Sequence, residues 1–317
     1  MDANQTYAYN VLSHRRGESE LLRDRKVKAY YDRYPQLQKF DSELRIAKAE
    51  LLLAMADDPY KVKDRSILEE IREKRNQYLK EQGIPEDYDQ IIPFCPLCND
   101  LGYKDHKPCV CFKELMIPKL LAASGLDNYR DVSFSHHQSE LFSHPERMNQ
   151  IRDISVAFAR ALPEKSGNLL FWGNPGTGKT FMAVCIAKEA VMRGVPTIVV
   201  RVTEILEMLS EYRTLMNSFS PDQERLRALT EKRDLVMQGD LLVVDEFGVE
   251  PKGQNTIPDL LNVFGTRKQR GLSTIITTNL SPTNIQNQYD NRLYSRLFGD
   301  FDPFRFEGAD LRTKHRM

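Results

Sequence analysis

The chain has 317 residues, 41% hydrophobic and 28% charged, and its 45 basic and 45 acidic side chains cancel to a formal net charge of zero. That length favours two parts over one core, and zero net charge excludes a globally basic surface, so any nucleic-acid contact must be local. No apolar run approaches the roughly 18 residues a membrane span needs. The first twenty residues, MDANQTYAYNVLSHRRGESE, lack the apolar core of a signal peptide. The expectation is therefore no membrane role, a reducing cytoplasmic compartment and no disulfides.

The first ninety residues are charged and helix-prone. Leu37, Phe40, Leu44, Ala47 and Leu51 recur at the spacing of one helical face, and Asp57-Asp58-Pro59 should end that helix. Ser66 with Glu69 forms a capping box ahead of Ile67, Leu68, Ile71, Tyr78 and Leu79, which predicts a second helix folding back as a hairpin. Such a hairpin serves equally as a docking arm or as packing for the rest of the chain.

Residues 91–112, IIPFCPLCNDLGYKDHKPCVCF, hold four of the five cysteines. Cys95, Cys98, Cys109 and Cys111 are spaced Cys-x2-Cys-x10-Cys-x-Cys, with Asn99, Asp100 and Gly102 suited to a tight turn after the first pair. Four thiolates satisfy tetrahedral Zn²⁺ and leave no open position, so a structural zinc site is expected. His106 could replace one ligand, and free thiols or an iron-sulfur cluster are the competing readings. Cys185 falls on an apolar helix and is expected in the core.

From GLDNYRDVSF onward, strand-like and helix-like segments alternate over about 150 residues, the pattern of a parallel sheet covered on both faces. Strands are predicted at residues 168–173, 196–202, 240–247, 274–279 and 303–306. Helices are predicted at 179–193 and 203–216, and an extra helix starts at Ser220, with Pro221 in its first turn and Gln223 completing a capping box.

Residues 173–180 read GNPGTGKT: Gly173, Asn174, Pro175, Gly176, Thr177, Gly178, Lys179 and Thr180. This Gly-x4-Gly-Lys-Thr run follows the strand NLLFW and opens a helix. Glycines let backbone N–H groups converge on phosphate oxygens, and the helix start adds its positive dipole end. Lys179 should reach the β- and γ-phosphates of ATP, and Thr180 should offer its hydroxyl to Mg²⁺. The strand LLVVDE brings Asp245 and Glu246 to its carboxyl end, where such sheets bind ligands. Asp245 is the expected Mg²⁺ partner, and Glu246 is expected to orient or deprotonate the attacking water. Asn279 ends the strand TIITTN and would hold that water or the γ-phosphate, or else form an Asx turn before Ser281-Pro282.

Together the phosphate loop, the Asp-Glu strand, the Asn-terminated strand and the helix NRLYSRL resemble the AAA+ ATPases. Residues from about 130 to 312 are most similar to the DnaC/DnaI/IstB group of helicase loaders and transposition helpers, through DEFGVE, TIITTNLSP and NRLYSRL. Glu246 and Phe247 replace the group's more usual Asp and Leu. The resemblance implies an α/β fold: a P-loop AAA+ parallel sheet with flanking helices and no full helical lid, because few residues follow the fifth strand. Residues 1–90 would be a helical amino-terminal arm, 91–115 a zinc-binding module used for partner contact, and 116–317 the ATPase domain. It also implies that Arg296, or Arg292 one turn earlier, is an arginine finger acting on a neighbouring subunit, and that Arg312 contacts nucleotide in cis. Tyr129, Arg130 and Phe134 match a segment packing near adenine, or they strap the sheet. The extra helix would place Arg225, Arg227, Lys232 and Arg233 against DNA, unless their interleaved acids pair with them. The implied function is an ATP-dependent loader that binds single-stranded DNA, self-associates and delivers a hexameric replicative helicase. An IstB-like transposition helper and a nucleotide-gated switch with little turnover are the alternatives.

Overall fold

The computed structural model describes residues 3–57 and 66–311. The chain divides into two compact units, Met1–Phe112 and Lys113–Met317. Among the described residues no helix is long and apolar enough to cross a membrane.

In the first unit α1 (Ala3–Arg33), α2 (Pro35–Asp57) and α3 (Ser66–Gln82) precede two short antiparallel strands, β1 (Tyr103–Lys104) and β2 (Lys107–Pro108). The predicted hairpin is α2 with α3, and α1 is a long third helix not foreseen as a separate element. Leu37, Leu79, Ile84 and Tyr88 are buried together, with Val27, Tyr30, Tyr31, Tyr34 and Tyr78 packed around them. Only Leu37 of the predicted α2 stripe is fully buried; Phe40, Leu44, Ala47 and Leu51 are half-buried, and Ile67 on α3 faces solvent. A polar knot takes the place of the missing apolar seam. The Asp41 carboxylate accepts from Arg75 Nε at 2.6 Å, from the Tyr31 hydroxyl at 2.9 Å and from the Tyr88 hydroxyl. Asp58 and Pro59, expected to stop α2, lie outside the described residues.

After α4 (Val110–Ala123) and α5 (Pro145–Ala161), the second unit alternates β3 (Asn168–Gly173), α6 (Lys179–Met192), β4 (Thr197–Arg201), α7 (Val202–Met216), α8 (Gln223–Gln238), β5 (Leu241–Phe247), α9 (Thr256–Gln269) and β6 (Ser273–Thr278). It closes with α10 (Pro282–Gln288), α11 (Asn291–Asp300) and β7 (Asp302–Phe306). The five strands β3 to β7 form one parallel sheet ordered β4-β5-β6-β3-β7, flanked by helices. β4 and β5 carry Val, Ile and Leu runs, and β6 is buried along its whole length, because the faces of the sheet are covered. That burial made them readable in sequence. β3 begins and ends where predicted, and the ends of the other strands differ by at most one residue. Placing β6 at Ser273–Thr278 leaves Asn279 just beyond the strand.

The start of α8 corrects the sequence reading. Neither Ser220 nor Pro221 is in it: Asp222 is the N-cap and accepts from the Arg225 backbone N–H at 3.0 Å. A carboxylate two residues further on caps the helix at the Arg225 amide and adds a favourable charge at the positive helix end.

Arg267 on α9 is 1% exposed and bolts three elements together. Its guanidinium donates to Val236 O at 2.8 Å, Ser273 O at 2.6 Å and Thr274 Oγ1 at 3.0 Å. Arg267→Met should leave these acceptors unmet at a cost of about 1–3 kcal/mol each, offset in part by no longer burying a charge. A fall in thermal midpoint of roughly 5 °C or more is expected in calorimetry, and an unchanged midpoint would remove Arg267 from the account of stability.

Candidate nucleotide site and cysteine cluster

β3 ends at Gly173, and the chain turns through Asn174 to Gly178 into α6, which starts at Lys179. The turn needs its glycines. Gly173 has φ 141, and a Cβ there would lie 2.1 Å from the backbone oxygen of Phe306 on β7. Gly178, in the left-handed region at φ 89, is the N-cap of α6. Thr177 Oγ1 donates to Asn174 O at 2.7 Å, and the Lys179 ammonium, 6% exposed, donates to Gly173 O at 2.8 Å and Asn174 O at 2.6 Å.

At the end of β5 the Asp245 carboxylate is buried, and its Oδ1 accepts from Thr180 Oγ1 at 2.9 Å and from Thr277 Oγ1. Thr277 Oγ1 also receives the Glu246 N–H at 3.2 Å. Sequence reading passed over Thr277; the available signal was a hydroxyl inside a strand buried on both faces. Glu246 sits at φ 56, a strained backbone for a side chain other than glycine. β5 and β6 lose register between Val244 and Phe247, which turns Glu246 out of the ladder. Its loop is clamped beyond that point. The buried Glu250 carboxylate accepts from Gly248 N–H at 2.7 Å and from the Tyr289 hydroxyl, while Gln288 Nε2 donates to Gly248 O at 3.0 Å.

A cavity of about 480 Å³ gathers Pro175 to Thr180, Glu246 and Asn279. Its other wall comes from the segment before α5, which includes His137 and Phe142. Their rings stack with centroids 5.4 Å apart. Burial, then the nearby Arg152 charge, hold the His137 imidazole below its usual pKa, so it is neutral near pH 7. Tyr129, Arg130 and Phe134 do not line this cavity; the Arg130 carbonyl accepts from Lys188. Burial, then the Asp245 and Glu246 charges, raise the pKa of the Tyr129 phenol, which places it within electrostatic reach of the acid pair.

Neither late arginine lines its own chain's cavity. Arg296 on α11 packs on α9, where a Cβ added at Gly265 would lie 3.1 Å from its Nη1. Arg292 is exposed and pairs with Asp290 at 2.7 Å. Leu311 N–H donates to Gly176 O at 3.0 Å; the next residue, Arg312, lies outside the described residues. On α8 the cations suggested for DNA are all engaged, two of them by acids on α7. Arg225 pairs with Glu211 at 2.6 Å, Arg227 with Glu231 at 3.2 Å, Lys232 with Glu204 at 3.6 Å and Arg233 with Asp234 at 3.3 Å. α8 is therefore a salt-bridged surface helix, not a free basic stripe.

The family described as IstB-like ATP binding protein matches residues 134–297, just over half of the chain and all of the phosphate loop, Asp245 and Glu246. The chain belongs to the IstB-like ATP-binding family. It is 27% identical over 186 residues to the Escherichia coli K12 protein bearing the name uncharacterized protein YdaV, covering 58% of this chain and 69% of that one. To the replicative helicase loader DnaC of the same organism it is 23% identical over 172 residues, 53% of this chain and 64% of DnaC. The chain thus spans just under two thirds of DnaC. A crystal structure of the DnaC helicase loader aligns over 57% of this chain and 99% of its own, with 19% identity and a TM-score of 0.46.

Outside the matched segment of this IstB-like chain, the four cysteines predicted as a cluster come together, every sulfur within 4.8 Å of the others. Cys95 and Cys109 sulfurs are 3.8 Å apart and those of Cys98 and Cys111 3.5 Å. Tetrahedral zinc with Zn–S of about 2.3 Å requires sulfur separations of about 3.8 Å, so the donor set fits. Asn99 and Asp100 take positive φ, and the fully buried Asp100 carboxylate accepts N–H bonds from Phe94 at 2.8 Å and Cys95 at 2.9 Å. His106 lies exposed between β1 and β2, outside the cluster. Cys185 is in the core, where burial pushes its thiol up to about 12.

Proposed function

We propose that this IstB-like protein is a replicative helicase loader, an ATPase whose second unit binds and hydrolyses ATP while its first unit holds a hexameric helicase in the cytoplasm. The observation that carries the reading is the division of labour. One unit contains a phosphate loop, an Asp-Glu strand end and a cavity, and the other surrounds a four-cysteine cluster with exposed Ile91, Ile92, Phe94, Leu97, Leu101 and Val110. Apolar side chains concentrated like this mark a surface that another protein covers. DnaC, at 23% identity, carries the loader's name and supports the same reading.

In this reading the Gly173 to Gly178 backbone and Lys179 bind the phosphates of ATP, and the base lies against His137 and Phe142. Thr180 and Asp245 would hold Mg²⁺, whose charge offsets that of the phosphates. Glu246 orients or deprotonates the attacking water, and Asn279 holds that water or the γ-phosphate. Arg296 acts from a neighbouring subunit, so self-association completes the site, and Arg312 contacts nucleotide in cis. Cys95, Cys98, Cys109 and Cys111 bind structural zinc. Single-stranded DNA is the second partner; any contact through α8 would exchange Glu204, Glu211, Glu231 and Asp234 for phosphates.

The family match favours one other reading, an IstB-like transposition helper that contacts a transposase. Mixing the purified full chain and ATP with the replicative helicase of its host, or with a transposase encoded beside it, separates the two. A complex with the helicase in size-exclusion chromatography is the expected result. A complex with the transposase alone would replace the loader by the helper.

A further inference from the structure

The inward line of α1 is apolar at Ala8 and Leu12 and again at Val27 and Tyr30, yet between them it carries Ser19 and Arg23. An interior stripe interrupted by polar residues has to be explained by what those residues face. They face a cavity of about 350 Å³ whose apolar jaws are Leu22, Ile92 and Phe94 and whose polar lining includes Ser19, Arg23 and Lys26.

Three features define what fits. Ser19 is 3% exposed, and its Oγ has no hydrogen-bond partner. Two cations and no carboxylate line the cavity, and Arg15 stands 5.7 Å over the Phe94 ring. Arg23 Nε meets Asp24 at 2.8 Å, but Asp24 is largely exposed and outside the lining, so a ligand carboxylate can replace it at little cost. Finally, the jaws remain open to solvent, with Ile92 77% exposed and Leu22 and Phe94 more than half exposed.

We propose that this cavity is a docking site for a segment of another protein in which one large apolar side chain adjoins a carboxylate. The apolar side chain enters between Leu22, Ile92 and Phe94, and the carboxylate meets Arg23, Lys26 and the Ser19 hydroxyl. The volume admits one large side chain, while the exposed jaws extend beyond it, as a peptide contact needs and a small free anion does not. The inference goes beyond the loader reading, because it fixes the chemistry of the contact whichever protein supplies it.

The test is to pan a displayed library of random dodecapeptides on the purified full chain and measure the enriched peptides by fluorescence anisotropy. The expected consensus is a Leu, Phe or Trp beside Asp or Glu. Affinity for those peptides should fall at least about tenfold with Lys26→Glu and with Ile92→Asp, both surface changes. Peptides with the acid changed to Lys should regain affinity for Lys26→Glu. No consensus, a consensus without acids, or binding indifferent to both variants would overturn the site.

Discussion

Glu246→Gln is expected to bind ATP within about twofold of the wild type and to hydrolyse it about 10²–10⁴ times more slowly. The substitution keeps size and backbone, and the hydrogen bonds that shape the loop run through Asp245, Thr277, Glu250 and the Glu246 amide, not through its carboxylate. Folding should therefore be unaffected, and the loss should appear in kcat. In the proposed finger role, Arg296→Ala should cost about 10³–10⁵, because the charge a finger stabilises exists only in the transition state. Arg296 does not line its own cavity, so the decisive measurement mixes the two inactive proteins. Arg296→Ala subunits still have Glu246, and Glu246→Gln subunits still have the arginine. Some mixed interfaces then regain both halves, and partial activity returns. If mixing restores nothing, Arg296 does not act between subunits.

Loss of the zinc proposed at Cys95, Cys98, Cys109 and Cys111 should be the larger structural insult. The segment bearing the cysteines has two strands of two residues each, and its buried cluster is the cysteines themselves. Zinc binding to four thiolates contributes roughly 10–16 kcal/mol in peptides of this size, far more than so short a segment gains from burial. Chelation, or Cys98→Ser, should make residues 91–112 sensitive to protease. Nucleotide affinity, which belongs to the other unit, should stay within about twofold. Metal analysis of the purified protein should give about one zinc per chain. Less than about half an equivalent, without the absorbance of an iron-sulfur cluster, would dismiss the four-thiolate site.

The sheet was legible because strands covered on both faces are built around apolar runs, so LLFW, IVV, LLVV and the paired Ile of STIITT announce themselves. The phosphate loop was legible because its chemistry is local: one glycine turn, one lysine and one helix start. What sequence did not reveal depends on residues that meet only in space. Thr277 holds Asp245 across 32 positions, and the stacked His137 and Phe142 belong to a segment with no periodicity to mark it. Pairing of the α8 cations was foreseen only in part: Arg227 and Arg233 find their acids on that helix, but the partners of Arg225 and Lys232 are on α7. α1 hid for a related reason, since its buried side chains are few and widely spaced.

The clamp on Gly248 gives the nucleotide site a mechanical linkage. Glu250 grips the Gly248 amide on one side and Tyr289 on the other, and Gln288 grips the Gly248 carbonyl. Tyr289 and Gln288 stand at the end of α10, three residues or fewer before the helix that bears Arg296. A displacement of that helix would therefore reach the loop of Glu246 through the buried Tyr289 and Glu250 and the half-buried Gln288.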